Sequence, residues 1–367
     1  MRAIEATWDS TLGIAKRYER HISALSLAGG FAFDSWAFGS IERPETQAVF
    51  IVYLLVAGIT IAILHVLESR GEDRRPSDRL RTILVFIIQF ALGALLSGFC
   101  VFYIRSASVT SSWPFLLAMA AIFIGNEFLR RYHSRLVFVA LLFFFSLYSY
   151  AILLVPILIR RIGQGPFLIS GALAVAIFFV YMRALARLGH ERYRTARAQI
   201  AVGVAVITVL INAAYVLRVV PPLPLVLTDV GIYHGAKRVN GNYQVAEEQE
   251  PPEWRALFGT YPILHVQPGS KLYLYNAVFA PRGLRARIVH DWQRLDPATR
   301  GWVSQQRIGV DIVGGRRDGY RYYTTKTVRP GQWLVKIETA DGRAIGRVRF
   351  GVEEQAVPPA TTLRTLR

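Results

Sequence analysis

The sequence predicts a membrane all-α bundle of about seven transmembrane helices, followed by an all-β, immunoglobulin-like sandwich domain. Three observations lead to this fold class. Apolar segments of membrane-spanning length fill residues 21–220. Arginine is concentrated in every second connector between them. Apolar residues alternate with period two from residue 226 onward, where turn residues punctuate the chain.

Each apolar segment is close to the ~20 residues that a helix needs to cross a hydrocarbon layer of ~30 Å. Helices are expected because lipid cannot satisfy exposed backbone groups. The first segment is rich in Gly and Ser and carries Asp34, so an interfacial helix is the alternative for it. The seven spans are predicted at 21–40, 48–67, 82–104, 113–129, 136–159, 166–186 and 198–220.

The positive charges in the connectors and at the ends of these spans predict the orientation. One side of the membrane, which includes an N-terminal arm at 1–20, carries 17 Lys and Arg, and the other side carries 5. Because cytoplasmic loops carry the excess of Lys and Arg, the first side is assigned to the cytoplasm of a bacterial inner membrane. The odd number of spans then predicts that residues 221–367 lie in the periplasm.

The C-terminal third is predicted as a proline-rich linker at 221–225, a periplasmic β-sandwich at 226–353 and a flexible tail at 354–367. The adjacent prolines of the linker favour an extended lead. Short segments with period-two alternation fit an antiparallel sandwich of immunoglobulin-like size. Strands are predicted at 226–234, 242–247, 263–267, 270–280, 285–294, 302–313 and 320–328, followed by a hairpin at 332–352.

The hairpin turns at Asp341–Gly342, a strong hairpin dipeptide. On its first strand, Trp333, Val335 and Ile337 share one face. The return strand is expected to place Val348, Phe350 and Val352 on one face, opposite Ile345, Arg347 and Arg349.

Polar residues inside the predicted spans form the first set of candidate functional residues, because such groups are costly in lipid. Asp34 could bind a cation or relay a proton, or it could simply reach the interface or a neighbouring hydroxyl. Glu127 lies one turn from Arg130 and Arg131, which is also the spacing of a local helix ion pair. Single amides need only interhelical hydrogen bonds. The set consists of Asp34, Gln89, Glu127 and Asn212.

Basic and aromatic residues of the C-terminal domain form the second set. Residues 226–367 carry 21 Lys and Arg against 13 Asp and Glu. The run GGRRDGYRYYTTK at 314–326 interleaves Tyr with Arg and Lys, which suits an anionic ligand. A solvated strand face beside a negatively charged membrane is the alternative. The predicted ligand contacts are Arg316, Tyr320, Arg321, Tyr322, Tyr323, Lys326 and Trp302.

A metal site or cofactor is not expected. His234, His265 and His290 fall on different predicted strands, and His290 has the strand parity of the core residues Ile288 and Trp292. The chain lacks an HExxH motif, a nucleophile elbow and a Walker loop. We therefore predict no catalytic residue, no metal and no cofactor.

The strings HDWQRLDPATRGWV at 290–303 and GYRYYTTKTVRPGQWLVKIETADGRAIG at 319–346 resemble the C-terminal domain of a bacterial family of unknown function. In its longer members a multi-span membrane region precedes this domain. The resemblance covers about 226–352, and it extends to the FDSW end of the first span. It implies an envelope setting and an all-β domain, but no activity and no catalytic residue.

The leading functional prediction is a non-enzymatic binding, accessory or sensory protein of the inner membrane. Its periplasmic domain would engage an anionic envelope polymer, a lipid head group or another envelope protein, but not nucleic acid. The second prediction is a transporter, channel or lipid-handling protein with the β-domain as a gate, in which Asp34 would meet Asn212, Gln89 or Glu127 in a cavity. A membrane enzyme is the third.

Overall fold

The computed structural model of the 367-residue chain describes residues 31–35, 38–69, 77–106, 109–128, 135–248, 261–316 and 319–366. The predicted arm at 1–20 and most of the first predicted span, 21–30, lie outside the described residues. The chain forms two compact units. The first consists of Met1–Ile104, Leu116–Ala151 and Gly171–Ile211; the second consists of Arg105–Phe115, Ile152–Ser170 and Asn212–Arg367.

Within the described residues, helical backbone at 31–35 precedes six helices. These are α1 (Pro44–Ser69), α2 (Asp78–Ser106), α3 (Val109–Phe128), α4 (Leu136–Ile159), α5 (Gln164–Leu188) and α6 (His190–Val216). Five are long and apolar enough to cross a membrane, namely α1, α2, α4, α5 and the part of α6 from Tyr193. α3 holds the shorter apolar segment Ser112–Asn126. The second to seventh predicted spans therefore overlap helices, although the last helix ends at Val216, before the predicted end at 220.

Local chemistry explains where these helices begin and how closely they pack. Pro44 opens α1 at the position where a missing N–H costs nothing. Ser77 caps α2, because its hydroxyl accepts a hydrogen bond from the Leu80 amide at 3.3 Å. The Phe50 ring stacks on Phe99 at 5.2 Å. A Cβ on Gly98 would lie 2.7 Å from that Phe50 ring, so glycine is required where α1 meets α2.

The second unit is rich in β-structure, with eleven strands among its described residues. They are β1 (Val226–Tyr233), β2 (Gly235–Val239), β3 (Asn242–Glu248), β4 (Ile263–Val266), β5 (Lys271–Phe279), β6 (Arg285–Leu295), β7 (Trp302–Val313), β8 (Tyr320–Thr327), β9 (Gly331–Thr339), β10 (Ala344–Glu354) and β11 (Thr361–Leu366). Every predicted strand is present, and β2 and β11 are additional.

The strands form three sheets, with the orders β1-β5-β8, β4-β10-β9-β6-β7 and β11-β3-β2. All neighbours are antiparallel except β4 and β10. The first two sheets share one apolar core, because period-two alternation turns one face of each strand inward. Its largest members are Trp292, Trp333, Tyr322 and Phe350. A smaller cluster of Tyr233, Tyr243, Val245, Tyr275 and Leu366 joins the third sheet to the first.

The hairpin of β9 and β10 confirms the inward face of Trp333, Val335 and Ile337, which are at most 2% exposed. The predicted position of Ile345 is wrong. A bulge between Ala344 and Gly346 shifts the register. Because one extra residue reverses which face a side chain takes, Ile345 joins the core instead of the outer face of Arg347 and Arg349.

Two segment predictions also differ from the structure. Residues 221–225 are buried and make a turn, with the Leu225 amide donating to the Pro222 carbonyl at 3.1 Å, instead of forming an extended lead. Within the predicted flexible tail, Thr361–Leu366 forms β11 and pairs with β3. Strand alternation in TTLRTL is too short and too polar to be detected without its partner.

Candidate functional site

A basic cavity of about 260 Å³ lies within the second unit, between the β2–β3 hairpin and the β7–β8 connector. We call it the arginine pocket. It is lined by Arg238, Gly241, Tyr243, Arg316, Gly319 and Arg321. Three of these lining residues are arginines and none of the described ones carries a carboxylate, so the described lining is positively charged.

The β2–β3 hairpin positions Arg238. Asn240 and Gly241 have φ of 50° and 85°. This is the geometry of a two-residue hairpin turn with both central residues left-handed. Val239 pairs with Asn242 directly across this turn. The tight turn leaves Arg238 exposed beside it, facing the cavity.

The β7–β8 connector positions Arg316 and Arg321. Gly319 has φ of 84°, and a Cβ there would lie 2.9 Å from the carbonyl carbon of Val278. Only glycine allows the connector to approach β5 this closely. The Arg316 guanidinium lies 5.2 Å from the centre of the Tyr320 ring, which is a cation–π distance.

Tyr243 forms the inner wall of the pocket. Its side chain is 9% exposed, and its hydroxyl donates to the backbone carbonyl of Arg321 at 3.0 Å. Its ring packs at 5.3 Å on Tyr275. Burial, with smaller contributions from nearby charges, raises the pKa of Tyr275 to about 12, so this neighbour stays neutral and does not offset the arginines.

Chemically, this arrangement is suited to an anion. Guanidinium groups are always charged and present planar pairs of donors that match the oxygens of phosphate or carboxylate groups. Arg238 from β2, together with Arg316 and Arg321 from the β7–β8 region, lines the same cavity, and these arginines can approach one such group. The Tyr243 hydroxyl already donates to the backbone carbonyl of Arg321. Its ring therefore shapes the wall of the pocket and does not supply a donor to a ligand.

The structure divides the predicted ligand residues of β8 between two faces. Arg321 and Tyr323 lie on the side of the arginine pocket and the third sheet, where Tyr323 packs at 6.2 Å on Tyr243. Tyr320, Tyr322 and Lys326 take the opposite side by strand alternation.

Tyr322 is 7% exposed and belongs to the apolar core, so it does not face the pocket. It stacks on the His290 ring at 5.0 Å. The sequence prediction missed this because a tyrosine beside arginines can lie on either face until the partner strands are known.

Trp302 lies apart from the arginine pocket, at the start of β7 in the five-stranded sheet. The Arg349 guanidinium is 5.3 Å from the Trp302 ring centre and 4.2 Å from that of Tyr261. Arg349 also donates to Gln332 at 2.7 Å. Trp302 thus packs in a separate aromatic and basic cluster on that sheet.

Arg238 is the arginine of this pocket that the sequence prediction missed. It lies on β2, which was not predicted as a strand. The signal that could have revealed it is the Asn240–Gly241 dipeptide between two short alternating segments, because Asn-Gly is a strong hairpin signal.

Two of the three histidines of the C-terminal domain converge on one carboxylate. Glu248 contacts His234 Nε2 at 2.9 Å and His265 Nδ1 at 2.6 Å, and it accepts from the His265 amide at 3.0 Å. Burial raises the pKa of Glu248, but the hydrogen bonds from His265 and His234 outweigh it and leave the pKa below its usual value. No metal-holding group of three or more His, Cys, Asp or Glu occurs among the described residues.

The polar residues of the helical segments are placed as follows. Ser97 donates to the Asp34 carboxylate at 2.5 Å, which pairs this acid with a neighbouring hydroxyl. Asn126 donates to the backbone carbonyl of Gln89 at 3.2 Å. Asn212 belongs to the second compact unit. The side chain of Glu127 lies outside the described residues.

Comparison with known proteins identifies one domain. The family described as a protein of unknown function (DUF2914) matches residues 285–352, which span β6 to β10. No curated protein matches the chain. A solved structure of the Pseudomonas fluorescens alkylpurine DNA glycosylase AlkC, bound to DNA containing an abasic site analog, is 8% identical and covers 86% of this chain and 100% of its own. Its TM-score of 0.22 supports no conclusion about fold or function.

The matched segment contains all seven predicted ligand residues, from Trp302 to Lys326. It contributes Arg316, Gly319 and Arg321 to the arginine pocket, whereas Arg238 and Tyr243 lie outside it. The pocket is therefore built jointly by this domain and by strands that precede it in the sequence.

Proposed function

We propose that this chain is a non-enzymatic binding protein of the bacterial inner membrane, whose periplasmic β-rich region binds an anionic group in the arginine pocket. The observation that carries the proposal is the convergence of Arg238, Arg316 and Arg321 on one cavity whose described lining holds no carboxylate. Phosphate and carboxylate groups are the anions that such guanidinium donors recognise best.

The membrane part of the proposal is supported by five helices of sufficient length and apolarity and by the uneven distribution of arginine between the connectors. In this arrangement the pocket would face the periplasm, where phosphorylated lipid head groups and acidic polymers supply anions. The shared core of the sheets β1-β5-β8 and β4-β10-β9-β6-β7 further supports a sandwich of immunoglobulin-like type.

The test is a binding titration with the full chain in detergent micelles, using inorganic pyrophosphate and, separately, soluble glycerophosphate as probes. Loss of one charge-assisted hydrogen bond is worth on the order of 1.5–3 kcal/mol. We therefore expect Arg238→Ala and Arg321→Ala each to weaken binding by about tenfold or more. Arg238→Lys should recover only part of the affinity, because lysine keeps the charge but loses the planar pair of donors.

The matched control is Arg347→Ala, which removes an exposed arginine from β10, outside the arginine pocket. It should leave the affinity unchanged apart from a small long-range electrostatic effect. The proposal fails if folded chain binds neither probe, or if Arg347→Ala weakens binding as much as the pocket variants do.

A further inference from the structure

Strand β7 is a long and open sheet edge. It spans 12 residues and pairs with β6 on one side, and no described strand pairs with its other side. Its inner face packs on the core, where Ile312 is 1% exposed and Ile308 and Val310 are partly buried. Among the described residues, the outer edge of β7 therefore presents backbone groups that no other strand pairs.

Edges of this kind are usually protected, because unpaired N–H and C=O groups form a template for another strand. Charged side chains (especially lysine), proline, bulges and very short length are the common protections. The β7 sequence WVSQQRIGVDIV contains neither lysine nor proline. In the pairing with β6, Trp292 lies opposite Gln306 and Gln293 lies opposite Ser304, so Gln305 is the extra residue of a bulge in β7. The regular part of the edge therefore begins at Gln306.

The charges on this regular part are self-complementary. If β7 pairs antiparallel with a second copy of itself about Gly309, then Arg307 of each copy lies opposite Asp311 of the other. The same register places Ile308 opposite Val310. Moving the centre to Arg307 or to Asp311 would instead place like charges opposite each other, which destabilises a pair of strands.

The side chains involved are available for such pairing. Asp311 is 79% exposed and lies 3.9 Å from the Arg287 guanidinium. Arg307 is 53% exposed, donates to Glu338 at 2.5 Å and lies 4.0 Å from a carboxylate oxygen of Asp291. Because a guanidinium has five N–H donors, Arg307 can bind a further carboxylate beside Glu338 and Asp291.

We propose that the β7 edge is a self-association surface, at which two copies of this chain join their five-stranded sheets in the antiparallel register centred on Gly309. The partner is a second copy because the same sequence supplies both members of the Arg307–Asp311 charge pair and of the Ile308–Val310 apolar pair. The paired segment runs from Gln306 to Ile312 in both copies. This proposal is independent of anion binding in the arginine pocket.

The experiment uses disulfide trapping in the full chain, with the buried Cys100 replaced by alanine. Gly309→Cys should form a disulfide-linked dimer with itself, because residue 309 faces its own copy. The obstacle to its Cβ is the flexible end of the Arg287 side chain, 2.7 Å away, which can move. Asp311→Cys alone should not form this dimer, because the two thiols would lie about four residues, or roughly 14 Å, apart along the strands.

Co-expression of Arg307→Cys and Asp311→Cys chains with different tags should restore the disulfide, now between different chains. The second charge pair remains intact in that mixed dimer. In the absence of cysteines, Asp311→Lys should weaken dimerisation of the full chain by about tenfold or more, as measured by mass photometry. Glu354→Lys, which makes the same charge change on the exposed end of β10, is the matched control and should not weaken it.

Failure of Gly309→Cys to crosslink, in folded protein whose thiol reacts with maleimide, would overturn the proposal. Equal crosslinking of Asp311→Cys with itself would overturn the register. A dimer that persists unchanged in Asp311→Lys would show that another surface holds the two copies together.

Discussion

The side chain of His290 illustrates how this chain uses polar residues inside its β-rich core. Its ring is 0% exposed, stacks on Tyr322, and places Nδ1 2.7 Å from the Thr324 hydroxyl. Its other nitrogen has no hydrogen-bond partner among the described residues. Burial lowers the pKa of His290 to about 3, so the ring is neutral at physiological pH. The ring therefore connects β6 with β8 through Thr324 and Tyr322.

His290 is expected to make the folded state sensitive to mild acid. Because its pKa is lower in the folded than in the unfolded chain, the unfolded chain binds more protons below about pH 6.5, and stability falls as the pH decreases. His290→Phe keeps the stacking but removes the titrating group. Thermal unfolding followed by tryptophan fluorescence between pH 7.5 and 5 should show a flatter pH dependence for this variant.

At pH 7.5 the same variant should be less stable by about 1 kcal/mol, because Thr324 loses a hydrogen bond. His234→Phe is the comparison, since it replaces a histidine of the separate Glu248 cluster. If the wild type and His290→Phe lose stability in parallel as the pH falls, the acid sensitivity comes from other groups.

At the scale of elements, the turns decide where the arginines lie. Gly241 and Gly319 both have a left-handed backbone and both line the arginine pocket, but their surroundings differ. A Cβ on Gly241 would meet no atom within 4 Å, whereas a Cβ on Gly319 would press on the β5 backbone. Alanine substitutions at these two glycines therefore separate the cost of backbone strain from the cost of close packing.

Gly241→Ala should cost about 1 kcal/mol, because a left-handed conformation costs an L-residue roughly 1–2 kcal/mol. Gly319→Ala should cost more, since the connector must also move away from Val278. That movement displaces Arg316 and Arg321, so only Gly319→Ala should weaken pyrophosphate binding. Thermal unfolding and the binding titration measure the two effects separately, and equal losses in both variants would contradict this account.

The elements themselves could be predicted well from the sequence. Spans and strands have local signatures, since the buried face of a helix recurs once per turn and that of a strand recurs at every second position. β2 and β11 were not predicted because they are short and polar, and because their stability depends on pairing with β3. Ile345 was misplaced because a bulge is a property of two strands together, and one strand alone does not show it.

At the scale of the whole molecule, the chain combines helices of membrane-spanning character with a β-rich region that contains the DUF2914 domain. The orientation predicted from arginine distribution implies that these parts face different compartments. Basic connectors would stay in the cytoplasm, and the arginine pocket would lie outside the membrane.

Thiol labelling in spheroplasts tests this orientation, with Cys100 replaced by alanine. Val357→Cys, at a position 70% exposed in the β-rich region, should react with a membrane-impermeant maleimide added from outside. Arg187→Cys, in the last turn of α5 beside the connector to α6, should react only after the cells are broken. The reverse pattern would contradict the predicted topology, and the arginine pocket would then face the cytoplasm.

The sequence by itself determined the helical and β-rich parts, the positions of their elements and the basic character of the C-terminal region. These are consequences of local periodicity and composition, which each segment carries independently. Only the tertiary structure decided that Arg238 meets Arg316 and Arg321, that Tyr322 turns inward to His290, and that β7 is left as an edge. Those facts depend on sheet order and on pairing between residues far apart in the sequence, which no local pattern encodes.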